Sequence, residues 1–261
     1  MILAIDIGNT RTTLALFTPG GELSFLSELE TDRKMTDDQC AISILGVFQL
    51  YQGSIRQVTG AILSSVVPPV TGIYARAVQR LTGQRPLVVG PGLKTGLNIR
   101  ADVHNQLGSD IVASCVAAME LYPSPSIVII SHTAVSFSYI SQSAFEGCSI
   151  MPGMGIALEA LSQNGAQLPH ISMGRVDTPL ARNTVDSMRA GIVYGYSGAF
   201  DRLIETLEEA AGTPAQTVVA TGEKLPEIFR HCRREILYDH DLLVHGLFLL
   251  HRKNAPKGRC Q

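Results

Sequence analysis

The sequence predicts an α/β protein built from two similar lobes with a cleft between them. Strand-like runs alternate with helix-like stretches along the 261 residues, which is the pattern of α/β folds. An apolar strand, a polar bend and a hairpin begin at Ile2 and recur about half a chain later, at Ser126. Tyr122–Pro125 breaks the helix before the second copy. We therefore divide the chain into lobes at 1–121 and 122–261.

The first copy opens with an apolar strand at 2–5 and a polar bend at Asp6–Thr10. Further strands are expected at 12–17 and 23–29, on either side of a turn that contains proline and two glycines. The remaining elements expected in this half are helices at 37–51 and 70–81 and strands at 57–66 and 86–89.

The second copy repeats this order, with a strand at 126–130, a bend at Ser131–Ala134 and strands at 135–140 and 144–150. The remaining elements expected here are helices at 155–161, 183–212 and 241–254 and a strand at 217–220. The long helical region 183–212 is rich in Gly, Ala and Tyr. We take it as the candidate dimer interface.

Composition and charge exclude several classes of protein. Lys and Arg number 21 against 23 Asp and Glu, and so even a balance argues against a nucleic-acid-binding surface. No apolar run reaches the ~18–20 residues that span a bilayer, and Met1–Asp6 lacks the basic region of a signal peptide. We expect neither nucleic acid nor membrane as a partner.

The cysteines indicate the cellular compartment of the protein, and the low fraction of charged residues indicates that it assembles into an oligomer. The five cysteines are an odd number without a C-x-x-C pair, which fits free thiols in a reducing cytoplasm better than a disulfide framework or a zinc site. Charged residues make up 17% of the chain, below the usual ~25%. Part of the surface is therefore expected to be covered in an oligomer.

The bend Asp6–Thr10 is the first candidate for chemistry. A carboxylate at the carboxyl end of a buried strand can hold hydrated Mg²⁺, and Gly8 lets backbone N–H groups approach a phosphate. Thr10 and Arg11 supply further donors. The alternative is an ordinary turn, in which Asp, Gly and Asn are common.

Asp110 is the second candidate, because Gly108-Ser109-Asp110 directly precedes an apolar helix of small residues. A carboxylate in the first turn can accept a proton from a substrate hydroxyl. The alternative is a carboxylate that only complements the helix dipole. No P-loop, G-x-G-x-x-G or G-x-S-x-G motif and no metal-binding histidine spacing is present.

Six segments together resemble type III pantothenate kinases, which belong to the acetate kinase, sugar kinase, Hsp70 and actin superfamily. They correspond in position to the family patterns D-x-G-N-T, S-S-V-V-P, G-P-G-x-K-T-G-L, G-A-D-R, A-P-G and N-T-x-x-S-M…G-x-x-x-G, with partial agreement at G-A-D-R and A-P-G. In this chain the segments are Asp6–Thr10, Ser64–Pro68, Gly90–Leu97, Gly108–Ile111, Pro152-Gly153 and Asn183–Gly195. The resemblance runs nearly end to end.

The resemblance implies two ribonuclease H-like lobes of the actin-like ATPase type with ATP in the cleft. It implies phosphorylation of the pantothenate hydroxyl, the first step of coenzyme A biosynthesis, with Asp110 as general base. It also implies Mg²⁺ near Asp6, a monovalent cation (K⁺ or NH₄⁺), and a homodimer in which Thr184 reaches the partner's pantothenate. The implied phosphate-binding residues are Asp6, Gly8, Asn9, Thr10, Arg11, Thr12, Thr13 and Thr133. The implied substrate-binding residues are Gly108, Ser109, Asp110, Ile111 and Thr184.

The second phosphate motif departs from the family pattern. Where the family reads D-F-G-T-A, this chain has Ile130–Ala134. Ile130 replaces the Asp expected to bind the monovalent cation, and His132 replaces a Gly. We hypothesise that protonated His132 supplies the cation's charge, because positive charge beside the phosphoryl group is the main source of catalysis in such enzymes.

The substrate and adenine contacts depart from it as well. Ile111 replaces the Arg that faces the pantothenate carboxylate, and Ala101 stands where a Tyr is common. Glu223 replaces a Gly near the adenine. Losing a planar, charge-assisted Arg contact weakens substrate binding. Three readings stay open at this point: a working pantothenate kinase, a kinase for a different hydroxyl substrate, and a non-catalytic nucleotide-binding or regulatory relative.

Overall fold

Two open sheets organise the chain in the computed structural model, which describes residues 1–99 and 107–255. The described residues group into two units. The first contains 1–96, 107–117 and 242–255, and the second contains 97–99 and 118–241.

The sheet of the first unit has five strands in the order β3-β2-β1-β4-β5. The strands are β1 Ile2–Ile7, β2 Arg11–Phe17, β3 Leu23–Glu30, β4 Gly60–Ser65 and β5 Leu87–Val88. β1, β2 and β3 form an antiparallel meander, whereas β4 runs parallel to β1 and β5 parallel to β4. The carboxyl ends of β1 and β4 therefore meet at one edge of the sheet.

Three helices and the start of a fourth belong to this unit. They are α1 Asp37–Leu50, α2 Pro68–Thr82, α7 Leu242–Asn254 and the first turns of α3 Ser109–Leu121, with a 3₁₀ turn at Ile55–Gln57. Thr36 and Gln39 form a reciprocal capping box that starts α1. Gly83 ends α2 in the left-handed conformation.

The last helix, α7, packs on β1 and β4. Phe248 stacks on Phe17 with ring centroids 5.0 Å apart. Gly246 lies against the backbone carbonyl of Ala113, where a Cβ atom would collide, so glycine allows α7 to approach α3 closely. The division at residue 121 had placed this segment with the second lobe. Its apolar face instead completes the core of the first unit.

The sheet of the second unit has six strands in the order β11-β10-β7-β8-β9-β6. The strands are β6 Asn98–Ile99, β7 Ser126–Ser131, β8 Ala134–Ser141, β9 Ala144–Pro152, β10 Thr217–Gly222 and β11 Leu237–Tyr238. The helices are α4 Met154–Asn164, α5 Thr184–Ala211 and α6 Leu225–Phe229. Asn183 caps α5 through the N–H of Asp186, and Gly212 ends the helix with a positive φ.

The predicted duplication is confirmed by the strand orders, since β9-β8-β7-β10-β11 repeats β3-β2-β1-β4-β5. The sequence did not predict the two-residue strands β6 and β11, the five-residue α6 or the 3₁₀ turn, because such short elements carry no periodic signal. The expected substrate position Ala101 lies outside the described residues.

Candidate active site

Asp6 lies at the carboxyl end of β1 and is half-buried. It pairs in register with Ser64 on β4 and with Thr13 on β2. Burial raises the pKa of Asp6 to about 7, the hydroxyl of Ser64 partly offsets this shift, and the negative charge of Asp110 adds to it. Burial and a neighbouring negative charge both disfavour the ionised form of Asp6, so a cation beside the carboxylate would stabilise that form.

The bend after β1 is shorter than predicted, because the strand continues to Ile7. The N–H of Gly8 donates to the carbonyl of Arg11 at 2.9 Å and closes the bend. Asn9 and Thr10 are exposed at its tip. The bend therefore presents one side-chain amide and one hydroxyl to an incoming ligand.

The three residues that follow the bend have different surroundings. Arg11 is exposed and its guanidinium lies 2.6 Å from the carboxylate of Glu28. Thr12 is fully buried, and its hydroxyl lies 2.9 Å from that of Thr31. Thr13 is half-buried beside Asp6. Among the three, only Thr12 is enclosed in the protein.

Ser109 fixes the start of α3 against the end of β4. Its hydroxyl accepts from the hydroxyl of Ser64 at 2.9 Å and from the N–H of Ser65 at 3.0 Å, and it donates to the carbonyl of Ser65 at 3.1 Å. One donor and two acceptors saturate a hydroxyl. The next residue, Asp110, is thereby held near Asp6, close enough for their charges to interact.

Asp110 is half-buried, and its carboxylate folds back over Gly108, where any Cβ atom would collide with it. Ile111 is 7% exposed. Its apolar side chain is therefore packed largely inside the first unit. The two carboxylates predicted from the sequence thus meet at one edge of the first sheet.

The equivalent bend in the second unit connects β7 to β8. Ile130 is 2% exposed, whereas His132 and Thr133 are exposed. The N–H of Gly153 donates to the carbonyl of Thr133 at 2.9 Å. A Cβ atom at this glycine would collide with the carbonyls of His132 and Thr133. The sequence requirement for Gly153 is therefore explained by close packing at the start of α4.

The end of β10 lies directly beside this bend. Gly222 has φ +108° and passes so close to the backbone of Ser131 that only glycine fits. The N–H of Glu223 donates to the carbonyl of Ser131 at 2.9 Å. Thr221 is buried and its hydroxyl donates to the carbonyl of His240. Thr184, at the start of α5, is exposed.

Three contacts were missed by the sequence reasoning. The first is the set of hydrogen bonds that Ser109 makes with Ser64 and Ser65, whose segment had been given no role. The second is the hydrogen bond from Arg33 to Asn9, which no motif indicated. Asn254 at the end of α7 holds both backbone groups of Lys94, accepting from its N–H and donating to its carbonyl, each at 2.8 Å. All three depend on residues that are distant in sequence, so no local pattern reveals them.

Across residues 1–99 and 107–255 no three His, Cys, Asp or Glu side chains cluster as a metal-binding group. In the same part of the chain, every helix is too short or too polar to cross a bilayer.

A protein-family model described as type III pantothenate kinase matches residues 2–206. A type III pantothenate kinase of Brevibacillus brevis is 37% identical over 256 residues, which is 97% of this chain and 99% of the relative. One of Geobacillus thermodenitrificans is 35% identical over 258 residues, 98% and 99% of the two chains.

Solved structures resemble the fold at low sequence identity. A protein assigned as a 2-dehydro-3-deoxygalactonokinase from Sinorhizobium meliloti has a TM-score of 0.60 at 12% identity. The match covers 98% of this chain and 97% of that protein. An inorganic polyphosphate/ATP-glucomannokinase from Arthrobacter has a TM-score of 0.51 at 14% identity, with coverage of 97% and 99%. These likenesses confirm the expected fold class, an α/β fold of two duplicated ribonuclease H-like lobes.

Proposed function

The chain belongs to the type III pantothenate kinase family, and from this premise we propose that it phosphorylates pantothenate with ATP in the first step of coenzyme A biosynthesis. The observation that carries the proposal is the proximity of two carboxylates. Asp6, at the carboxyl end of β1, lies close enough to Asp110, in the first turn of α3, for their charges to interact, and Asn9 and Thr10 are exposed on the bend after β1. Phosphoryl transfer depends mainly on positioning and on positive charge beside the phosphoryl group. The two carboxylates are suited to place a base and to attract a cation at this edge of the sheet.

In the proposed reaction, Asp110 accepts the proton of the pantothenate hydroxyl. The hydroxyl oxygen then forms a bond to the γ-phosphorus of ATP, and the bond from that phosphorus to the bridging oxygen breaks, so that ADP leaves with the electron pair. Asn9 and Thr10 donate to phosphate oxygens. The exposed Thr133 in the second unit is the other proposed phosphate contact.

The residues near Asp6 fit Mg²⁺. This ion is commonly held by one or two carboxylates together with substrate phosphates, without a dedicated protein cage. Burial and the nearby negative charge of Asp110 raise the pKa of Asp6. Such a pair of carboxylates favours a bound cation. When bound, Mg²⁺ neutralises charge on the transferring phosphoryl group.

No such fit supports a monovalent cation at Ile130. This side chain is apolar and buried in β7, and a hard cation requires oxygen ligands. We therefore propose that turnover proceeds without K⁺ or NH₄⁺, with His132 as the source of positive charge at the second bend.

We also propose a homodimer formed through α5. Three glycines on the exposed face of this helix have no atoms near their added Cβ positions, although each glycine costs a helix about 1 kcal/mol relative to alanine. Nothing within the described protomer explains them, whereas a closely approaching partner does. They are Gly191, Gly195 and Gly198. Exposed apolar side chains of the same unit, Ile150, Ile156 and Leu161, add area for such a contact.

The four cysteines in the described part of the chain form no disulfide. This agrees with the proposed cytoplasmic location, where ATP and a reducing environment are both present.

The test is ADP release by the purified chain with Mg²⁺, measured with and without pantothenate in Na⁺ and K⁺ buffers. Pantothenate-dependent release supports the proposal. ATP binding without turnover would favour a non-catalytic relative.

A second candidate is a kinase for another hydroxyl compound. It is favoured by Ile111, which is apolar and 7% exposed in the first turn of α3, where the family has an arginine. Phosphorylation of other hydroxyl compounds, but not of pantothenate, in the same assay would establish it.

A further inference from the structure

Arg33 lies beside the Gly8–Thr10 bend although it is more than twenty positions away in sequence. The chain returns to the bend after β3. The N–H of Thr31 donates to the carbonyl of Thr10 at 2.9 Å, and the guanidinium of Arg33 donates from Nη2 to Oδ1 of Asn9 at 2.9 Å. The hydroxyls of Thr31 and Thr12 lie 2.9 Å apart. The return segment is thus tied to the bend on both sides.

The carboxylates of the described residues near the bend do not neutralise the Arg33 guanidinium. Arg33 forms no ion pair with a carboxylate among residues 1–99 and 107–255. Arg11, on the same bend, is paired with Glu28. The adjacent Asp32 directs an oxygen to the N–H of Lys34 at 2.8 Å. Arg33 therefore adds a positive charge to the bend.

The contact between Arg33 and Asn9 also fixes the orientation of the asparagine amide. Phosphate oxygens accept hydrogen bonds, so only Nδ2 of an asparagine can serve them. Because Arg33 occupies Oδ1, the acceptor end of the amide faces the guanidinium and the Nδ2 donors face away from it. An Asn9 amide turned the other way would present a partial negative charge to an anion.

We propose that Arg33 is a positioning residue for the triphosphate of the nucleotide, which holds the Asn9 amide with Nδ2 toward a phosphate oxygen. The inference rests on the proposed kinase function. It attributes part of the affinity for the nucleotide triphosphate to Arg33. It separates two contributions at one bend: Asn9 contacts the phosphate, and Arg33 determines which end of Asn9 does so.

The test is a double-mutant cycle on the affinity for Mg·ATP, measured by calorimetry without pantothenate. Arg33→Gln and Asn9→Ala are each expected to weaken binding about tenfold, the scale of a lost charge-assisted hydrogen bond. Since Arg33 acts through Asn9, the double variant should also lose about tenfold rather than a hundredfold. The KM for pantothenate should stay unchanged in Arg33→Gln.

Lys34→Gln is the matched control, because it removes one positive charge from the neighbouring position, and it should bind Mg·ATP as the unaltered chain does. Equal weakening by Lys34→Gln and Arg33→Gln would overturn the inference in favour of a general charge effect. So would a hundredfold loss in the double variant or normal binding by Arg33→Gln, whereas a chain that binds no Mg·ATP overturns the kinase proposal as well. Thermal unfolding of each variant separates misfolding from loss of affinity, and Arg33→Lys, which keeps the charge and a donor, should recover part of the affinity.

Discussion

The hydroxyl of Ser109 lies 2.9 Å from the hydroxyl of Ser64, and the pair joins the start of α3 to the end of β4. Ser109 also satisfies the backbone N–H and carbonyl of Ser65. This arrangement sets the position of Asp110 relative to the first sheet. A single side chain thus links the proposed base to the strand next to Asp6.

Replacing Ser109 with alanine should destabilise the protein, because the N–H of Ser65 then loses its partner in a partly buried place. An unsatisfied buried donor costs about 1–3 kcal/mol. Urea denaturation of the variant and the unaltered chain measures the difference.

The control for that measurement is Ser114→Ala on the same helix. The hydroxyl of Ser114 is buried and has no hydrogen-bond partner among the described residues. Its removal should change stability little or raise it. A larger loss from Ser114→Ala than from Ser109→Ala would contradict our account of this contact.

Gly108→Ala should lower kcat while leaving the fold intact. The added methyl group would displace the carboxylate of Asp110, which folds back over this glycine, and a flexible carboxylate can rotate away at little cost in stability. Loss of general-base catalysis is typically worth 10²–10⁴-fold. We expect Gly108→Ala to approach the rate of Asp110→Asn, with an unchanged melting temperature and near-normal ATP affinity. A variant with full kcat would show that this orientation of Asp110 is not the active one.

Asp6→Asn should stabilise the metal-free protein at pH 8 more than at pH 5. The pKa of Asp6 is raised from 3.8 to about 7 in the folded chain, so the native state holds a proton that the unfolded state releases. Stability of the unaltered protein therefore falls as pH rises from about 4 to about 7, by at most ~1.4 kcal/mol per pH unit for this one group. Asparagine removes that dependence.

Denaturation in EDTA at several pH values tests the Asp6 prediction. The difference between Asp6→Asn and the unaltered protein should grow from pH 5 to pH 7 and then level off. Parallel stability curves for the two proteins would exclude a raised pKa at this position. Turnover should be lost in the variant at every pH.

Turnover should be insensitive to exchange of Na⁺ for K⁺, because the position that would ligate the ion is the buried Ile130. If His132 supplies the missing charge, the rate should fall between pH 6 and pH 8 as its imidazolium loses a proton. His132→Asn should remove this decline and lower the rate at pH 6. A rate that is constant over the range in the unaltered enzyme would exclude His132 from this role.

Thr184→Ala should raise the KM for pantothenate without changing that for ATP, if Thr184 reaches the substrate of a partner subunit. The matched control is Thr206→Ala on the same helix, where the hydroxyl donates to the carbonyl of Arg202. Analytical ultracentrifugation should find a dimer in both variants. A monomeric unaltered enzyme with full activity would refute the shared site.

The sequence predicted the fold well because its strands are nearly continuous apolar runs with Pro and Gly between them. In β1, Leu3, Ala4 and Ile5 are fully buried, and this run also located Asp6 at the end of the strand. Asp110 was found because glycine and an acid precede an apolar helix. These features are local, so one stretch of sequence contains the whole signal.

Features that depend on contacts between distant segments were not predictable in the same way. Thr12 is buried, and its hydroxyl contacts that of Thr31, a residue distant in sequence. From the sequence alone, a threonine after such a bend is expected to contact a ligand. Likewise, the apolar pattern of α7 predicted a helix but did not indicate which sheet it covers.

The placement of α7 has a consequence for biosynthesis. The first sheet is synthesised well before the helix that packs on β1 and β4, because that helix spans Leu242–Asn254. Domains usually fold in the order of their synthesis. In this protein the amino-terminal sheet keeps an apolar face uncovered until α7 has been synthesised. A polypeptide that terminates before Leu242 would therefore expose this face to aggregation.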